Sequence, residues 1–182
     1  MPPAGSQSEA DLQAIYNFFN IRKHAFELLA AQVTAEVLRR SGSTYNAGWL
    51  TRSGGDGGVD FVGRLDVGSA SANTPVVVLG QAKCISPESS ISPDQVARVV
   101  ARLRRGWIGV FVTTGSFSKQ AQVEVVDDQY PLVLIAGKQL VSEVQKIAAM
   151  DHDGDLEALL RTIGEGYDAA IKARRPEEVL WA

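Results

Sequence analysis

The stretch from Gly54 to Lys83 limits the folds open to this chain more than any other part of it. It reads Gly54-Gly55-Asp56-Gly57-Gly58-Val59-Asp60, then Phe61-Val62-Gly63-Arg64-Leu65, and later Val76-Val77-Val78-Leu79-Gly80-Gln81-Ala82-Lys83. Glycines crowded around an aspartate do not pack a core. They let the backbone take positive φ and come close to a ligand or another strand. The two apolar runs that follow read as strands, the second nearly all β-branched. Residues 66–75 connect them as antiparallel neighbours. On a strand, Gln81 and Lys83 share one face while Ala82 points to the other. An acidic residue beside a glycine-rich turn, with a polar-x-Lys on the next strand, is a candidate metal and phosphate site. The spacing alone also allows a plainer reading, in which Asp60 caps a turn and Lys83 forms an ordinary ion pair.

The rest of the chain supplies helices to cover such strands. Residues 1–8 are expected to be disordered. Ser8-Glu9-Ala10-Asp11 has the spacing of a capping box with Asp in place of Glu, and opens a helix carrying Leu12, Ile15, Tyr16 and Phe19 on one face. Phe26, Leu29, Ala30, Val33 and Val37 mark a second helix, ended by Arg39-Arg40 and Ser41-Gly42. Of its two glutamates, Glu36 reads as solvated surface, whereas Glu27, beside Phe26 at the helix start, is placed to reach inward. Tyr45 to Thr51 is a weak strand interrupted by Gly48, and the central strand is expected over 76–84.

After a Ser/Pro loop, Ser92 caps and Pro93 opens a helix with Val96, Val99, Val100 and Leu103 inward and Gly106 as its stop. Arg98, Arg102 and Arg105 fall at i, i+4 and i+7 on it, a stripe that is either a solvated face or a phosphate-contacting one. Trp107 to Val112 is a buried strand running into the polar turn Thr113-Thr114-Gly115-Ser116-Phe117-Ser118, which opens a helix over 118–127. Leu132 to Ile135 is another buried strand, 138–149 a helix, and Leu156 to Ile171 a last amphipathic helix. Strands joined by both a hairpin and helical crossovers make an α/β fold with a mixed central sheet flanked by helices, in one domain over 9–182.

Composition removes several function classes. A single cysteine among 182 residues, Cys84, allows neither a disulfide framework nor a Cys-rich zinc site, and its apolar neighbours mark it as a packed thiol. Two scattered histidines, His24 and His152, do not make a metal cluster. No apolar run approaches the ~20 residues of a membrane span, and the N-terminus has no signal-peptide pattern, so a cytoplasmic location is expected. The net charge of −3 argues against a protein that coats nucleic acid, though not against DNA contact through a local basic face. The glycine cluster lacks the Gly-Lys-Ser/Thr of a Walker loop and the strand-before, helix-after setting of a dinucleotide fingerprint. Asp151-His152-Asp153-Gly154-Asp155 has its glycine in the wrong place for a calcium loop, and there is no Gly-x-Ser-x-Gly.

The pattern as a whole resembles the Mrr-like branch of the PD-(D/E)xK nucleases, a restriction-endonuclease-like fold. The resemblance runs over residues 24–147 and rests on six blocks in order: Phe26-Glu27, Gly55-Asp56-Gly57-Gly58-Val59-Asp60, Gln81-Ala82-Lys83, Gly109-Val110-Phe111-Val112-Thr113-Thr114, Phe117-Ser118, and Tyr130-Pro131-Leu132-Val133-Leu134-Ile135. The 20 residues between Asp60 and Gln81 and the Gln-Ala-Lys form resemble the catalytic domain of the MspJI-type endonucleases, which cut DNA at a distance from modified cytosine. Those enzymes carry a separate recognition domain for which 182 residues leave no room, and the helix at 9–19 has no assigned counterpart.

The resemblance implies a Mg²⁺-dependent deoxyribonuclease, with Mn²⁺ able to substitute, that acts on double-stranded DNA in restriction of foreign or methylated DNA. Asp60 and Gln81 then bind metal with the Ala82 backbone carbonyl, Glu27 supplies a further carboxylate, and Lys83 orients the attacking water. Arg98, Arg102, Arg105, Ser116, Ser118 and Lys119 are the DNA-contacting candidates. Double-strand cleavage implies a homodimer or larger assembly, and specificity implies a separate recognition domain or subunit. Two other readings keep the fold: a nuclease of DNA repair or end processing, and an inactive DNA-binding module.

Overall fold

The computed structural model describes residues 1–39, 43–51, 58–69 and 71–182. Gly54, Gly55, Asp56 and Gly57 of the glycine turn lie outside the described residues, as do Arg40, Ser41 and Gly42. A five-stranded sheet runs in the order β1 (Thr44–Leu50), β2 (Phe61–Ser69), β3 (Ala72–Lys83), β5 (Ile108–Thr113), β7 (Leu132–Ala136). The first three strands are antiparallel, and β3, β5 and β7 are parallel, so the sheet is mixed as expected. The parallel steps are made through α3 (Pro93–Val100) and α4 (Lys119–Asp127). β4 (Ser90–Ile91) and β6 (Ser116–Phe117) pair in parallel as a separate two-residue ribbon.

One face of the sheet carries four helices: α1 (Gln7–Asn20), α2 (Phe26–Arg39), α5 (Gly137–Asp151) and α6 (Leu156–Ala170). Their apolar stripes, among them Phe19, Phe26, Leu29, Leu140, Val144 and Leu159, close over Phe61, Val78, Val110, Val112 and Ile135 in one continuous core. The opposite face has two smaller cores. Beneath α3 and α4, Ile91, Val96, Val99, Phe111, Phe117 and Val125 pack together. Over β1–β3, Trp49, Val62, Val77 and Leu79 pack with Val179, from a C-terminal 3-10 helix at Pro176–Trp181.

The structure corrects the sequence reading at several points. α1 begins at Gln7, inside the stretch expected to be disordered, and its cap is Ser6, whose hydroxyl accepts from Glu9 N at 3.2 Å, in place of Ser8. Pro2 is buried. The connection expected at 66–75 is far tighter, because β2 and β3 stay paired from Phe61↔Gly80 out to Ser69↔Ala72. The added pairs involve polar or exposed residues with no apolar alternation to announce them, but the backbone ladder does not need it. The helix opened by Pro93 stops at Val100, well before Gly106. Ser92 does cap it, its N–H donating to Gln95 Oε1 at 3.0 Å. Beyond Val100 the chain turns through bonds from Arg102 N to Val99 O and from Leu103 N to Val100 O, and Leu103 packs with Trp107 against the Trp49–Val179 core. That packing ends the helix early.

Candidate active site

The β2–β3 register fixes the site. Asp60 N donates to Gly80 O at 2.8 Å and Thr51 N to Asp60 O at 3.0 Å, while the Thr51 hydroxyl donates to Val59 O, so Asp60 is held from both sides at the hairpin's open end. The Phe61 ring lies on Gly80, where a Cβ would stand 2.0 Å from ring carbons, so only glycine fits there. With Phe61 opposite Gly80, Asp60 falls beside Gln81 and Ala82. Its Oδ2 accepts from Ala82 N at 2.7 Å and from Gln81 Nε2. In a parallel ladder each residue turns both its N–H and its C=O to the same neighbour. Since Gln81 and Lys83 face β5, the Ala82 carbonyl lies on the Asp60 side with its N–H.

The end of β3 is anchored from β5 by the threonine pair. Thr113 Oγ1 donates to Lys83 O at 2.8 Å. Thr114 Oγ1 donates to Ile85 O at 2.5 Å and accepts from Ile85 N at 2.9 Å. Lys83 is half-buried on the same face as Gln81, and its side chain has no hydrogen-bond or ion-pair partner among the described residues. The ordinary ion pair allowed by the sequence is therefore not made there.

Glu27 does reach inward. It sits in the first turn of α2 with 9% of its surface exposed, takes a hydrogen bond from the Tyr167 hydroxyl at 3.2 Å, and lies 3.5 Å from His24 Nδ1. Burial pushes its carboxyl above the usual range, against the lowering effects of His24 and Tyr167. Asp60 is displaced further, to about 7, chiefly by burial and then by the charge of Glu27. The Ala82 N–H, the Gln81 amide and the Arg102 guanidinium act in the opposite direction.

Glu27 is buried and Asp60 half-buried, and the charge of Glu27 disfavours that of Asp60, so the pair favours an added positive charge. The surrounding donors are hard oxygens: Asp60, Glu27, the Gln81 amide oxygen and the Ala82 carbonyl. Among the described residues no three His, Cys, Asp or Glu side chains gather, so a metal shell here needs those amide and backbone oxygens. This donor set fits a hard divalent cation such as Mg²⁺ and not zinc. Gln81 now turns its nitrogen to Asp60, and a half-turn of the amide presents the oxygen instead.

The basic stripe does not exist as a helical face. Arg98 is on α3, while Arg102 and Arg105 follow its end. Arg98 and Arg105 are exposed, but Arg102 is half-buried and turned to the site. Its Nη1 donates to Arg98 O at 2.7 Å, and the guanidinium lies over Gly58, where φ is +89°. Ser116 Oγ donates to Ser89 O at 3.3 Å beside the β4–β6 ribbon, and Ser118 caps α4 by accepting from Ala121 N at 3.2 Å. Lys119 is exposed at the start of α4. Cys84 is packed at 4% exposure, as expected, whereas Glu36, read as solvated surface, is half-buried and pairs with Arg39 at 2.8 Å. Sequence reasoning missed His24 and Tyr167 as partners of Glu27. Tyr167 falls on the inward stripe of α6, and a hydroxyl at such a position is the signal that a buried polar partner exists.

A family model described as a restriction endonuclease, of the Mrr catalytic type, matches residues 20–144. The chain is similar to the MspJI restriction endonuclease solved in complex with a 27-mer oligonucleotide, at 63% identity and a TM-score of 0.94, over 100% of this chain and 41% of that one. It is also similar to the DNA modification-dependent restriction endonuclease AspBHI, at 26% identity and a TM-score of 0.73, over 90% of this chain and 41% of that one. No curated protein matches it. Since the family model takes in Glu27, Asp60, Gln81 and Lys83 together with the strands and helices that hold them, the chain belongs to the Mrr-type restriction endonucleases.

Proposed function

We propose that this chain is the DNA-cleaving domain of a modification-dependent restriction endonuclease, hydrolysing phosphodiester bonds of double-stranded DNA with Mg²⁺, or Mn²⁺ in its place. The observation that carries this reading is Asp60: a half-buried carboxylate held by Ala82 N–H and Gln81, with Lys83 on the adjoining face. Asp60, Gln81 and the Ala82 carbonyl would hold the metal, with Glu27 as a second carboxylate, and it would supply neutralisation of phosphate charge and a more acidic water.

The protein's own groups do the positioning. Ala82 N–H and the β2–β3 ladder fix the Asp60 carboxylate. The threonine pair fixes the backbone under Lys83, whose ammonium donates to the attacking water and to the phosphate as its negative charge grows. Water oxygen bonds to phosphorus, the bond to the leaving deoxyribose oxygen breaks, and solvent takes and returns the protons. Because the chain spans 41% of each solved relative, choice of modified DNA is assigned to a separate domain or subunit. Cutting both strands is assigned to a pair of such domains. Residues 9–182 act as the single cleavage unit, in a cytoplasmic setting. Among the described residues no helix is long and apolar enough to cross a membrane.

The test uses methylated and unmethylated duplexes of one sequence, with and without Mg²⁺. Metal-dependent nicking or cleavage is expected from the native chain and not from Asp60→Ala or Lys83→Ala with unchanged circular dichroism. Cleavage that persists in both variants sinks the assignment. A domain that nicks both duplexes equally supports recognition by another segment.

A further inference from the structure

Arg102 is the cation that the structure brings to the site without a role assigned to it there. It enters from the turn after α3, half-buried, one nitrogen fixed on the Arg98 carbonyl at 2.7 Å. A Cβ at Gly58 would lie 3.2 Å from its Nη2, 3.4 Å from its Cζ and 3.5 Å from Gln81 Oε1. The bare backbone at 58 is thus the gap through which the guanidinium reaches the edge of the Asp60–Gln81 pair, and its charge favours the ionised form of Asp60. It has no ion pair among the described residues, unlike Arg104, which pairs with Glu177 and lies over Trp107, 5.0 Å from the ring centroid. The planar fork of an arginine suits two oxygens of one phosphate.

We infer that Arg102 is a catalytic residue, whose guanidinium binds a non-bridging oxygen of the scissile phosphate at the mouth of the Asp60–Gln81–Lys83 site. This deepens the nuclease reading and rests on it. The guanidinium accepts no atom and only stabilises the charge that builds on the phosphate oxygen as water adds to phosphorus and the leaving oxygen departs. Before DNA arrives, the same charge offsets the two carboxylates, so that phosphate approaches a site less repulsive than Asp60 and Glu27 alone would make it. Arg98 and Arg105 are both exposed.

The alternative for Arg102 is a purely structural one, a cap on the Arg98 carbonyl. Arg102→Gln separates the two, since glutamine can donate to that carbonyl but carries no charge. Under single-turnover conditions with saturating duplex, Arg102→Gln and Arg102→Ala are expected to slow cleavage about 10²–10³-fold, as loss of one preorganised donor does. Arg102→Lys should recover part of the rate. Arg161→Ala, which removes an exposed charge from α6, should cleave as the native chain does. A native rate in Arg102→Gln overturns the inference.

A second readout needs no cleavage. With EDTA present, binding of a short fluorescent duplex should weaken about tenfold in Arg102→Ala, and Asp60→Asn in the same chain should return most of it, since close charges couple. Independent, additive effects of the two substitutions overturn the placement. If the native chain cleaves nothing with any metal while this coupling holds, the nuclease reading fails and the position of Arg102 at a phosphate site stands.

Discussion

The two faces of the central sheet are built differently, and the site lies on the less continuous one. The face under α1, α2, α5 and α6 is a single apolar core from Leu12 to Ile163. The other is divided: Phe111 on β5 belongs to the core beneath α3 and α4, whereas Val77 and Leu79 on β3 belong to the core closed by the C-terminal 3-10 helix. Gln81 pairs with Phe111 in the ladder and follows Leu79 on the same face of β3, so it stands at the seam between the two. Lys83 continues along that seam and Arg102 enters from its rim. A continuous core excludes water and polar groups. A divided one leaves a polar cleft whose floor is still a rigid sheet, which is what an aqueous phosphate chemistry requires.

The comparison is broken most strongly by separating stability from activity. Asp60→Ala and Lys83→Ala at the seam should lower cleavage by on the order of 10³-fold or more while leaving the melting temperature level or raised. Phe26→Ala on the continuous face should do the reverse, removing about 3–5 kcal/mol in urea titration. Phe117→Ala, in the smaller core and 8% exposed, should cost about 3 kcal/mol or less by the same measure. An equal or larger loss at Phe117 would mean that the divided face is as well packed as the other.

Acid–base behaviour sharpens it next. The Asp60 carboxyl is raised from 3.8 to about 7 in the folded chain. Below pH 3.8 both folded and unfolded forms hold the proton. As pH rises the unfolded chain releases it first, so stability falls across that window and the loss is complete above about 7. For the chelator-treated protein the loss is on the order of 2–4 kcal/mol. Asp60→Asn should flatten the melting-temperature profile between pH 5 and 8. Added Mg²⁺ should raise the native melting temperature more at pH 8 than at pH 6. A flat native profile would mean that Asp60 is better solvated than its surroundings indicate.

Smaller effects come from the backbone anchors. Thr113→Val removes the donor to Lys83 O and the acceptor for Gly115 N, and should cost about 1–3 kcal/mol with a parallel drop in cleavage. Gln81→Glu should change activity least, keeping cleavage and tightening Mg²⁺ in calorimetry, since a carboxylate replaces an amide among the metal's oxygens. Inactivity together with loss of metal binding in this variant would remove Gln81 from the ligand set.

The sequence made the helices and central strands legible because their apolar periods agree with their burial. It also brought Asp60 and Gln81 together, since a hairpin allows few registers. The two-residue β4 and β6 escaped it because two residues have no period. The outer halves of β2 and β3 escaped it because Asp66, Gly68 and Asn73 look like loop; backbone pairing holds all three, and the Asp66 side chain adds bonds to Asn46 and Arg64 that exist only once the strands are paired. The separation of Arg102 from its two neighbours in the stripe was hidden for a different reason. Helical spacing placed it on a stripe with Arg98 and Arg105, whereas the packing of Leu103 and Trp107 ends the helix and turns Arg102 alone to the site. Such a turn is a tertiary event with no local signal.

The contact of Phe61 with Gly80 has a consequence for how this site can change over generations. A slip of β2 against β3 by one residue would exchange the two faces and carry Asp60 away from Ala82. The aromatic ring and the bare backbone admit no halfway register, because any side chain at 80 collides with the ring. Mutational drift can therefore remodel the rim of the cleft in small steps, through Arg102 or the loops, but it cannot move the Asp60 carboxylate gradually. Lineages descended from this hairpin are expected to keep Phe61 and Gly80 together or to lose them together.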